Sequence, residues 1–173
     1  MHSTAAQRRP GASSTGGYRR FVFLLLDRFT MLSFAGAIEP LRIANRVIGR
    51  KAYSWVLAGE NGVESTCSNG ASFKLDMGLD EIEREDTILV CGGIDVQQAT
   101  TKAILNWLRR EARRGCAIGG LCTAAYTVAK AGLLDGKRAT IHWENQDSFI
   151  EEFEAVKLTK SVFVVDGNRM STA

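Results

Sequence analysis

Apolar residues in this chain fall into short unbroken runs, separated by stretches in which they recur every three or four positions. FVFLLL (21–26) is a run of strand length, suited to a strand buried on both faces. Leu32, Ala35, Ile38, Leu41, Ile43, Ala44 and Val47 then follow a helical period, predicting a helix over about 31–48, capped by Thr30 and stopped by Gly49. YSWVLAG (53–59) and TILVC (87–91) read as further strands, with small strand or loop pieces across 60–86. A helix over about 97–114 carries Ile104, Leu105, Trp107 and Leu108 inward and a solvated basic face at Arg109, Arg110, Arg113 and Arg114. CAIGGL (116–121) predicts a strand and TAAYTVAKAG (123–132) a helix. Strands are expected around 139–142, 156–158 and 162–166, with a short acidic helix near 144–154. Strands alternating with helices imply a doubly wound α/β domain: a mostly parallel sheet with helices on both faces.

The opening residues break this pattern. Ser, Thr, Ala, Gly and Arg dominate the first eighteen or nineteen positions, which read as a flexible basic tail (1–19) ahead of a domain over 20–173. The formal charge of +3 also lies there, because Arg8, Arg9, Arg19 and Arg20 face no acidic residue in the first twenty positions. Without those four, 18 of the 22 basic side chains remain against 19 acidic ones. A body so close to neutrality lacks the footprint of a nucleic-acid surface. The apolar run near the start spans six residues, far short of a membrane span or a usual signal sequence. Cys67, Cys91, Cys116 and Cys122 form no C-x-x-C pair, and His2 and His142 are the only histidines, so neither a metal site nor a cofactor is expected. Reduced cysteines in a cytoplasmic protein are the plain expectation.

In open α/β sheets, chemistry collects beyond the carboxyl ends of the strands. One such end reads Gly120-Leu121-Cys122-Thr123-Ala124, with small residues two before and two after the cysteine, as a sharp strand-to-helix elbow requires. An elbow would turn the sulfur into the cleft at a helix N-terminus; a small cysteine packed in the core fits the same spacing. Gly92-Gly93, at another strand end, suits amides that approach an oxyanion or carboxylate, or a simple turn. His142 ends a third strand, as partner to a cleft cysteine or as a hydrogen-bonded structural histidine. Trp143 beside it is either core or one wall of an aromatic pocket for a cation. No phosphate loop or G-x-G-x-x-G is completed.

GGLCTAAYTVAKAGLLDGKRATIHW (119–143) resembles the elbow and following segment of the ThiJ/PfpI superfamily, which has the flavodoxin-like, class I glutamine-amidotransferase-like fold. FVFLLLDRFTMLSFAGAIEPLRIANR (21–46) and VFVVDGNRMSTA (162–173) are similar, more narrowly, to the N-terminal domain of GlxA-type transcription regulators, which continue into an AraC-type helix-turn-helix. The resemblance implies an elbow cysteine at Cys122 with His142 as its partner. It places Ser33 where enzymes of the superfamily carry a carboxylic acid, and a serine cannot play that part near neutral pH.

The implied function is therefore a non-enzymatic sensor of a small metabolite, an amino acid or a quaternary ammonium compound, in a degenerate catalytic pocket. Glu39, Gly92, Gly93, Cys122, Thr123, His142 and Trp143 would line it, with Arg42 and Asn45 on the same helix as Glu39, as pocket residues or as an exposed polar face. A homodimer is implied, with DNA met only through a domain beyond this chain and no membrane. The alternative is a cysteine-dependent enzyme, isonitrile hydratase-like, amidase-like or glyoxalase-like, with Cys122 as nucleophile, His142 as base and the Gly92-Gly93 amides as oxyanion donors.

Overall fold

The computed structural model describes residues 18–173, so most of the expected basic tail lies outside the described residues. Its boundary moves, however. Strand β1 runs Arg19–Leu25, and the Arg20 guanidinium grips the buried Asp86 carboxylate through Nε at 2.9 Å and Nη2 at 2.6 Å. Arg19, the last residue of the expected tail, is thus the first residue of the sheet.

After β1 the chain forms α1 (Met31–Ile48), β2 (Tyr53–Ala58), the hairpin β3 (Glu64–Thr66) and β4 (Ser72–Lys74), then β5 (Thr87–Cys91). There follow α2 (Val96–Ala99), α3 (Lys102–Arg114), β6 (Ala117–Leu121), a 3₁₀ turn at Cys122–Ala124 and α4 (Ala125–Lys130). The last part holds β7 (Arg138–Ala139), α5 (Gln146–Glu152), β8 (Lys157–Leu158), β9 (Phe163–Asp166) and β10 (Arg169–Thr172). The central sheet has the order β2-β1-β5-β6-β10-β9, parallel throughout except for the edge strand β9. Side chains along β1 and just past its end alternate: Val22, Leu24 and Leu26 join a core shared with α3, α4 and α5, while Phe23 and Leu25 join another beneath α1. The doubly wound architecture follows, because each face of the sheet buries its own apolar set.

Several local expectations need correction. The helix expected over 97–114 is two, broken at Thr100 and Thr101. Thr101 accepts a hydrogen bond from the Ile104 amide and so starts α3 afresh, while the Thr100 hydroxyl bonds Val96 O and Thr127. The strand expected over 139–142 is reduced to β7, paired only with β8. Beyond it Thr140 N donates to the Ser171 hydroxyl, which takes the place of a ladder. β10 was not expected at all; it inserts between β6 and β9.

The basic face of α3 is largely tied down rather than solvated. Arg109 caps the end of α4 through the carbonyls of Lys130 and Ala131, and Arg110 holds those of Leu79 and Asp80. Arg110 and Arg114 both pair with Glu111, whose side chain is fully buried. All four cysteines are free and buried, and no cluster of three or more metal-ligating side chains occurs among the described residues. Nor is any described helix long and apolar enough to cross a membrane.

Candidate functional site

The carboxyl ends of β1, β5 and β6 converge on Cys122. Its backbone has φ 59°, a left-handed conformation that costs a non-glycine residue about 1–2 kcal/mol. The tight packing behind the turn holds it there. A Cβ on Gly120 would lie 2.6 Å from the Ala125 amide nitrogen, and one on Gly92 2.7 Å from the Thr123 hydroxyl. Only glycine lets β5 and β6 approach the start of α4 this closely, and the approach fixes the bend. The Cys122 amide donates to the Thr172 hydroxyl at 3.3 Å, so β10 anchors the elbow from the other side.

The sulfur faces the hydroxyl of Thr30 at 3.9 Å, its one hydrogen-bonding partner among the described residues. Thr30 was expected to cap α1. It occupies that position, but its side chain caps nothing and points to the sulfur instead. Two things hold it in place. Its amide donates to Gly92 O at 2.9 Å, and the preceding Phe29 is buried edge-on against Phe34 and Phe73, with ring centroids 5.6 Å apart in both cases. Each aromatic pair of this kind contributes about 0.5–1.5 kcal/mol beyond its burial.

A pocket of about 350 Å³ opens over the sulfur, lined by Thr30, Gly93, Asp95, Cys122, Thr123 and His142 with Ile94, Glu144 and Asn145 beside them. Gly93 abuts the Arg28–Thr30 backbone, where any Cβ would collide, and its carbonyl accepts from the Thr123 hydroxyl at 2.8 Å. Gly92 lies behind the pocket, against Thr123 and Ala124. The amide of His142 donates to Cys122 O at 3.4 Å, which ties the two residues through their backbones. Its Nδ1 is buried without a hydrogen-bond partner, since Glu144 Oε2 stands 3.8 Å away, an ion-pair distance too long for a hydrogen bond. Burial pushes the neighbouring Cys91 thiol far above its ordinary value of 9.0, and the proximity of Cys122 adds to this. Cys91 therefore stays protonated in the core beneath the site.

The remaining expected site residues lie elsewhere. Glu39 forms an ion pair with Arg42 on the exposed side of α1, each side chain about half exposed, and does not line the pocket. The Arg42 guanidinium holds the Glu39 carboxyl below its ordinary value. Asn45 staples the α1–β2 connection, accepting from the amides of Ala52 and Tyr53 and donating to Tyr53 O. Ser33 turns back on the helix to bond Thr30 O at 3.0 Å, and it is the side chain of Thr30, three positions earlier, that bonds the sulfur. Trp143 is 71% exposed and is not a wall of the pocket. Asp95 and Glu144 line the pocket without having been singled out from sequence. Asp95 stands just past the Gly92-Gly93 strand end, so the strand-end rule carried two residues further would have reached it.

Residues 19–173, from the first residue of β1 to the last of the chain, match the DJ-1/PfpI family. The chain belongs to that family. Among its relatives, the HTH-type transcriptional regulator CdhR of Pseudomonas aeruginosa is 39% identical over 153 residues, covering 88% of this chain and 45% of the relative. The HTH-type transcriptional regulator GbdR of the same organism is 38% identical over 151 residues, covering 87% of this chain and 41% of the relative. The chain thus spans less than half the length of these regulators. The crystal structure of an AraC family transcriptional regulator from Pseudomonas putida superposes with a TM-score of 0.74 at 26% identity, over 89% of this chain and 83% of that one.

Proposed function

We propose that this DJ-1/PfpI domain is the small-molecule-sensing part of an AraC-family transcription regulator working in the cytoplasm. It binds an amino acid or quaternary ammonium compound in the Cys122 pocket without turning it over. The observation that carries this reading is the group opposite the sulfur. A threonine hydroxyl, with a pKa far outside the neutral range, is neither a proton acceptor nor a carboxylic acid. The pocket keeps the geometry of an elbow while its nearest partner offers only a hydrogen bond. Asp95 and Glu144 in the walls favour a ligand bearing positive charge. Contact with DNA belongs to a domain outside this chain, in keeping with the near-neutral body and with the regulators it resembles.

Calorimetric titration with glycine betaine, carnitine and arginine tests the reading, paired with an assay for consumption of each compound. Saturable binding without consumption is expected. Consumption that disappears in Cys122→Ser would reject it in favour of a cysteine-dependent enzyme. That second reading draws its support from the strained backbone of Cys122, a feature that catalytic elbows share.

The domain further acts as a homodimer. Leu32, Ile43 and Val47 are exposed apolar residues at helical spacing on α1, with Gly36 and Pro40 between them. The Glu39–Arg42 pair sits within the same helix, so two copies related by a two-fold axis can set opposite charges against each other around an apolar stripe. Light scattering after size-exclusion chromatography is expected to give twice the chain mass for the wild type and the chain mass for Val47→Glu. A wild-type monomer would refute the dimer.

A further inference from the structure

Three non-glycine residues among those described have a positive φ: Arg28 at 56°, Asp95 at 54° and Cys122 at 59°. The elbow accounts for the third. The other two are strained without being part of it, at about 1–2 kcal/mol each. Their side chains form an ion pair with one another, 51% and 43% exposed. An ion pair so open to solvent contributes about 0–1 kcal/mol, less than the combined strain of its two members. Fold stability therefore does not explain why these residues stand where they do.

The backbone holds them there firmly. Arg28 N donates to Thr66 O at 2.8 Å, Ile94 N donates to Arg28 O at 3.2 Å, and Gly93 packs flush against the Arg28 carbonyl. The segments after β1 and β5 are locked together, and a guanidinium and a carboxylate are presented side by side at the edge of the cleft. That edge is the wall between two cavities. A second, larger cavity of about 580 Å³ contains Arg28, Asp27, Glu60 and Glu64, and Ile94 and Asp95 line both it and the Cys122 pocket. Arg28 is the one arginine or lysine lining either cavity.

We propose that Arg28 and Asp95 are the ligand anchor, exchanging their bond to each other for bonds to a zwitterion. The ligand's carboxylate takes the two parallel donors of the Arg28 guanidinium, and its cationic nitrogen takes Asp95. The surrounding charges set the ligand class. A simple carboxylate reaching Arg28 faces Asp27, Glu60 and Glu64 with no positive charge of its own to offset them. A cation lacking a carboxylate takes Asp95 from Arg28 and offers the guanidinium no bond in return. A molecule carrying both charges satisfies both residues, so amino acids and betaines are selected over mono- and dicarboxylates and over plain amines. This assignment rests on the sensing reading above and adds to it the residues and the charge pattern that do the selecting.

The test uses the whole chain, with titration of glycine betaine, carnitine and arginine into wild type, Arg28→Gln and Asp95→Asn. Two analogues of glycine betaine accompany them: choline, without the carboxylate, and 3,3-dimethylbutyrate, with carbon in place of the charged nitrogen. Each substitution and each deletion of charge is expected to weaken binding by about ten-fold or more, the value of one charge-assisted contact. A separate arm needs no ligand: Arg28→Gly and Asp95→Gly relieve positive φ and are expected to leave the thermal midpoint unchanged or raised. Zwitterion binding that survives both charge substitutions unchanged, analogues bound as tightly as glycine betaine, or a midpoint clearly lowered by either glycine overturns the anchor alone. Wild-type protein that binds none of the three zwitterions overturns the anchor together with the sensing reading.

Discussion

The geometry of the elbow makes Gly120→Ala a demanding test. Gly120 does not adopt a positive φ, so alanine suits its backbone and only space is at issue. The new Cβ would stand 2.6 Å from Ala125 N, 2.8 Å from Ala124 C and 2.9 Å from Ala124 O, all backbone atoms where the 3₁₀ turn passes into α4. Ordinary contacts lie at about 3.5–4.0 Å, so α4 would have to retreat by close to an ångström. Overpacking of this kind costs about 1–3 kcal/mol. Alanine also narrows the unfolded ensemble, which returns about 0.4–1 kcal/mol. Taken at the middle of each range, the net loss is about 1–2 kcal/mol. For a domain of this size each kcal/mol moves the thermal midpoint by about 2–4 °C, so calorimetry should show a fall of about 2–8 °C. Because the displaced residues carry Cys122, ligand titration should show weakened binding in the same variant. A midpoint at or above that of wild type would refute the reasoning, since the unfolded-state gain would then be the only effect present and the elbow would not be close-packed.

Other outcomes follow from the same structure. Brief iodoacetamide treatment at neutral pH, mapped by mass spectrometry, should modify Cys122 ahead of Cys91 and Cys116, whose thiols burial pushes upward; equal labelling of all three would contradict the placement of Cys122 in an open pocket. The Arg138 amide holds the Asp166 carboxyl below its ordinary value of 3.8, so its contribution is present above that pH and lost as pH falls through the lowered value. Asp166→Asn should then flatten the acid limb of a denaturation profile, and an unaltered limb would remove Asp166 from it. Arg20→Ala should destabilise by about 1–3 kcal/mol in urea, because the buried Asp86 carboxylate loses two charge-assisted hydrogen bonds. A loss indistinguishable from zero would show that the Arg20–Asp86 pair does not stabilise the fold.

Much was legible in the sequence because it is local. Unbroken apolar runs mark strands buried on both faces, and the 3.6-residue period marks α1 and α3, since each depends only on a segment's own side chains. The elbow belongs here too: Gly120 and Ala124 flank Cys122 closely enough that the need for small residues shows in five letters. The hairpin of β9 and β10 also carries a local signal. Asp166-Gly167-Asn168 separates two strand-like runs, and Gly167 has φ 64° in the turn. The break in the helix at Thr101 was readable in the same way, as a threonine three positions before an amide it caps.

The site itself could not be read off so directly. Thr30 lies 92 positions from Cys122 in sequence, and in isolation a threonine before a helix looks like a cap. Only the order of strands, with β1 and β5 adjacent and Phe29 buried between α1 and β4, turns its hydroxyl toward the sulfur. Glu39 looked equally suited to the pocket by helical spacing, yet it stands half exposed in a pair with Arg42. Arg28 and Asp95 meet across 67 residues of chain. Local chemistry thus determined which segments form and where the chain must bend. Which side chains share a cavity depended on long-range packing, where burying each face of the sheet decides which strand ends become neighbours.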